Sequence, residues 1–117
     1  MPARLKVLTP DQLATAAAAS DTKALVKHYL AVLEQRAPGR SVEVRVPPYA
    51  AVQVVPGVRH TRGTPPAVIE TDAETWLALA TGRTTWHQAI DDGVVTASGE
   101  RTDLSPYLPL GDTGDGQ

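Results

Sequence analysis

The stretch from Ala67 to Leu108 constrains this chain most, because it carries its own start and stop signals. Val68 and Ile69 are β-branched and follow Pro65-Pro66, which suits a strand that runs straight into a helix cap. Thr71 and Glu74 stand at the capping-box spacing, so a hydroxyl and a carboxylate can satisfy amide donors that the first helical turn leaves free. Trp76, Leu79 and Ala80 then share a face at i, i+3 and i+4. Gly82 stops the helix, since a residue without a Cβ adopts the left-handed cap at little cost. Thr85 with Gln88 repeats the box, Trp86, Ala89 and Ile90 repeat the apolar spacing, and Gly93 repeats the stop before a strand from Val94 to Gly99. The pattern predicts strand, helix, short helix, strand.

Upstream, Thr9-Pro10-Asp11-Gln12 opens a helix with a cap, a proline at the first position and a box partner. Its continuation to Ala19 is nearly all alanine, favourable in propensity but with little to bury. Ser20-Asp21-Thr22 predicts a break, with Ser20 capping a second helix whose Leu25, Val26, Tyr29, Leu30, Val32 and Leu33 form an apolar stripe ended by Ala37-Pro38-Gly39. Val42, Val44 and Val46 alternate with Glu43 and Arg45, a strand with one wet face. Pro47-Pro48-Tyr49 turns the chain, and Val52 and Val54 bring it back as the second arm of a hairpin. Val58 to Pro66 has no periodicity, and Thr102 to Leu108 suits a short helix that folds Leu104 and Leu108 back. The expected fold is α+β: a mixed sheet of four or five strands, helices packed on one face, and an N-terminal helical arm. Residues 1–110 read as one domain and 111–117 as a disordered acidic tail.

Composition removes several classes of function. A net charge of −2 supplies no field to hold nucleic acid, and the absence of cysteine removes disulfides and thiolate chemistry. No apolar run is long enough to span a bilayer, so the expectation is a cytoplasmic protein with no transmembrane segment. No serine has the Gly-x-Ser-x-Gly context of a strained nucleophile, and Asp91-Asp92 read as solubilising. The histidines show no metal-ligand spacing, so neither a metal nor a cofactor is expected, and His28 and His87 read as solvated. Arg59, His60 and Arg62, with Thr61, Gly63 and Thr64, can surround an anion or a polar head group. Alternatively the two arginines pair with Glu43, Glu70 or Asp72.

The run from Pro66 to Leu108 resembles the second half of the sterol carrier protein 2 superfamily at Asp72, Gly82, Ala89, Gly93 and Gly99. The whole chain looks like the small bacterial orthologues of that superfamily, through the segments Val42 to Pro48 and His60 to Pro66. The resemblance implies an SCP2-like fold with a hydrophobic cavity, and non-enzymatic carriage of a lipid, fatty acyl or sterol-like ligand. The cavity would fall to Val44, Val46, Val52, Val54, Ile69, Trp76, Leu79, Trp86, Ile90 and Val95, with Ala97 beside them. Close packing offers the alternative that both indoles plug a solid core. The same fold resembles a domain appended to some mycothiol-dependent isomerases. A ligand-free interaction or dimerisation module, using Ala14 to Ala19 as its contact surface, is therefore a second expectation. An enzyme built on His60 and Arg62 lacks an acid, base or nucleophile constellation.

Overall fold

Strand β1 (Val42–Val46) shows how the chain divides itself into two layers, for its three valines are buried while Arg45 is exposed. A computed structural model describes residues 5–57, 67–98 and 103–111. Before β1 come helices α1 (Pro10–Ala18) and α2 (Thr22–Arg36); after it come β2 (Ala50–Val54), β3 (Ala67–Thr71), α3 (Ala73–Thr81), α4 (Trp86–Asp91), β4 (Val95–Ser98) and a 3-10 turn at Ser105–Tyr107. The strands form one sheet in the order β2-β1-β3-β4. β1 pairs antiparallel with β2 and parallel with β3, and β4 closes antiparallel on β3, which makes the sheet mixed as expected.

Register carries the two-sidedness across the sheet. Val44 stands opposite both Val52 and Ile69, so the inward residues of neighbouring strands share one face. Those residues join one hydrophobic core with Tyr29, Leu30 and Leu33 of α2, Trp76 and Leu79 of α3, and Trp86 of α4. Arg45, Gln53, Glu70 and Thr96, on the opposite face, are exposed. The helices therefore cover a single side.

Local chemistry differs from expectation at two helix starts. Asp21, not Ser20, caps α2, its Oδ1 accepting from the Ala24 N–H at 3.1 Å. Asp72, not Thr71, caps α3, accepting from the Thr75 N–H at 3.0 Å and the Thr75 hydroxyl at 2.7 Å. Thr71 is the last inward residue of β3, and its hydroxyl donates to the Val94 carbonyl at 2.8 Å instead. Gly82 takes the left-handed cap of α3 at φ 84°, and Thr85 caps α4, as read.

The C-terminal stretch makes a 3-10 turn rather than an α-helix, burying Leu104 and Leu110 while Leu108 is only half-buried. It is strapped down by the Leu110 N–H on the Ala80 carbonyl at 2.8 Å, and by Arg36 donating to the carbonyls of Pro109 and Leu110 at 3.2 and 2.8 Å. Residues 112–117 of the expected tail lie outside the described residues.

The end of α2 is tied to the end of β2. The Val55 N–H donates to the Ala37 carbonyl at 2.6 Å and the Ser41 N–H to the Val55 carbonyl at 3.2 Å, with Val55 itself at φ 74°. Gly39 presses against this junction so closely that a Cβ would collide with the Val55 carbonyl, a backbone group that the two hydrogen bonds hold in place. Gly39→Ala is expected to destabilise the fold by about 3 kcal/mol in urea denaturation, since backbone rather than a flexible side chain has to yield.

Candidate functional site

Nine of the ten residues expected around a cavity form one buried wall and roof, and Ile90 is the exception. Val44, Val46 and Val54 present no surface to water, inside or out, and Ile69 and Leu79 almost none. No water-sized void therefore adjoins this part of the wall. Val52, Trp86 and Val95 keep a little exposure, so the layer is tightest around β1 and looser towards its margins. The two indoles do turn inward.

Ile90 is 39% exposed and Val94 43% exposed, so both lie on the surface where α4 turns into β4. Helical geometry explains Ile90: at about 100° per residue it lies to one side of the direction shared by Trp86 and Ala89, and α4 is too short to correct the offset. Ala97 is opposite Ile69 in register yet exposed.

One polar atom in the compartment stands out. Trp76 is 1% exposed and its Nε1 donor has no hydrogen-bond partner. A buried donor left unpaired costs about 1–3 kcal/mol, and native interiors rarely tolerate it without a reason. Nothing in the sequence pattern signals this, since the i, i+3, i+4 spacing reports only that Trp76 faces inward.

The histidines divide differently from the sequence reading. His87 is exposed, but His28 is 5% exposed rather than solvated. Its Nδ1 accepts from the Leu8 N–H at 2.9 Å, twenty residues away in sequence, and its ring meets Tyr29 edge-on at 4.7 Å. The N-terminal segment thus folds back over α2, a long-range contact that local pattern cannot reveal. Among the described residues no group of three acidic or imidazole side chains could hold a metal ion.

Arg59, His60 and Arg62 lie outside the described residues. Of the carboxylates suggested as their partners, Glu70 stands 3.9 Å from Arg45 Nε, a half-exposed pair across the wet face of the sheet. Ala14 and Ala18 on α1 are exposed and Ala16 is buried, so the alanine surface is partly used inside the molecule. A shallow groove of about 380 Å³ runs between α1 and the start of α2, with Leu8, Ala16, Ala19 and Ala24 along it. None of the described helices is long and apolar enough to cross a membrane.

A family model for bacterial SCP orthologs matches residues 18–110. No curated protein matches the chain.

Burial holds the His28 imidazole below its ordinary value of 6.5. The folded chain therefore binds that proton less readily than the unfolded chain. The stability linked to neutral His28 is complete above pH 6.5 and is lost as pH falls towards the lowered folded value. Melting temperatures followed downwards from neutral pH should fall through this window, and His28→Gln, which keeps an acceptor but does not titrate, should flatten the decline.

Proposed function

The chain belongs to the bacterial SCP ortholog family, and we propose that it binds and carries a small apolar ligand without catalysing a reaction. The observation that supports this most is the continuous apolar wall of Val44, Val52 and Ile69, roofed from the helical side by Trp76 and Trp86. Membership of a sterol- and lipid-carrier-like superfamily points the same way.

The ligand enters by parting the layer, because Val44 and Ile69 have almost no surface open to water. The margin between α4 and β4 is the natural place: Trp86 and Val95 keep residual exposure there, and Ile90 and Val94 offer an apolar rim outside. A chain with ten buried methylenes brings roughly 8 kcal/mol at about 0.8 kcal/mol each, a sum able to offset the packing lost on opening. Arg59, His60 and Arg62 would meet a polar head group of such a ligand. The proposed setting is the cytoplasm.

A second reading is a ligand-free interaction or homodimerisation module, and the sealed wall favours it, since a packed core has no need of cargo. Titration with fatty acids, acyl-CoA and sterols separates the two. The carrier reading expects a saturable change in tryptophan emission with at least one class at micromolar concentration. Emission unchanged across all of them would overturn it and leave the module.

A further inference from the structure

We propose that Trp76 selects, among apolar ligands, those that carry a neutral oxygen acceptor, such as the hydroxyl of a long-chain alcohol or the carbonyl of an ester. The assignment, which rests on the carrier reading above, narrows it to a ligand class and to one residue. Trp76 Nε1 is a strong donor with no acceptor, sealed inside the layer in which the ligand would lie. Two other buried polar side chains do have partners: Thr71 donates to Val94 and His28 accepts from Leu8. Among the described residues no acceptor, from backbone or side chain, lies within hydrogen-bond reach of the indole N–H. An oxygen arriving with the ligand supplies the missing partner, and the bond forms where water does not compete.

The same surroundings argue for a neutral oxygen over a carboxylate. Among the described residues no lysine or arginine is buried: Arg36 of α2 is committed to the carbonyls of Pro109 and Leu110, and Arg83, just beyond α3, is exposed with its Nε donating to the Thr81 hydroxyl. A carboxylate drawn in would be a buried charge with a single donor, which costs far more than a neutral group so placed. The discriminating feature at Trp76 is thus one hydrogen bond, with no buried cation among the described residues to answer a charge there.

The test compares decane, 1-decanol, methyl decanoate and decanoate on the wild-type chain and on Trp76→Phe, read by tryptophan emission, which comes from both indoles in the first and from Trp86 alone in the second. The alcohol and the ester should bind about tenfold more tightly than decane to the wild type. In Trp76→Phe that preference should vanish while decane still binds. In nitrogen-15 spectra of the wild type, the Trp76 indole proton should move downfield with the alcohol and the ester but not with decane. Equal binding of decane and 1-decanol, or a preference that survives in Trp76→Phe, overturns the role of Trp76 and leaves the carrier reading intact. Failure of all four probes to bind overturns this inference, and the carrier reading falls with it only if acyl-CoA and sterols fail to bind as well. Should Trp76→Phe not fold, the wild-type indole shift decides alone: movement with the alcohol supports the role, and no movement overturns it.

Discussion

The alternation in β1 is the constraint from which the rest of the molecule follows. One side of that strand is all valine and the other is Glu43 and Arg45, so the sheet built on it can be covered on one face only. Its neighbours then differ in kind. β2 returns by a tight turn and pairs antiparallel, whereas β3 pairs parallel and needs the longer connection between Val54 and Ala67. All the greasy surface of the helices must meet the same valines. This is why α2, α3 and α4 crowd one side, and why Arg45 and Glu70 remain in water on the other.

A single covered face gives a molecule of this size one shared interior, closed at its ends by backbone bonds. The junction of Ala37, Gly39 and Val55 fixes α2 against β2, and the strap from Arg36 and Ala80 to Leu110 fixes α2 and α3 together. Among the described residues the α4 margin has less to hold it. α4 is six residues long, its outer neighbours Ile90 and Val94 are exposed, and the edge strand beside it buries only Val95. A layer that is tight at one end and lightly closed at the other is what the carrier reading needs, because local stability follows local packing. The orphan donor of Trp76 lies within that layer.

Much of this was legible in the residues. Periods of two and of 3.6 place the strands and helices, and they place both indoles inside, because binary pattern is a direct record of which face is buried. Caps were less legible. Ser20 and Asp21 both suit a helix start, as do Thr71 and Asp72, and the choice fell to Asp72 because the strand had already turned Thr71 inward to reach Val94. His28 reads as polar on a helix, yet a segment twenty residues upstream returns to cover it. Ile90 fits the apolar spacing of its helix, but six residues are too few for spacing alone to fix which way the last turn faces. The cationic segment around Arg59 and Arg62 was legible only as chemistry, since it has no periodicity from which a position follows.

The central claim is that the valine wall and the indole roof can part to enclose an apolar chain. Intermolecular nuclear Overhauser effects from a carbon-13-labelled decyl chain test it most directly. The account predicts contacts from the bound chain to the methyl groups of Val44 and Ile69 and to the Trp76 ring. Contacts confined to exposed positions such as Val7, Ala14 and Ala18, with the methyls of Val44 and Ile69 untouched, would contradict it.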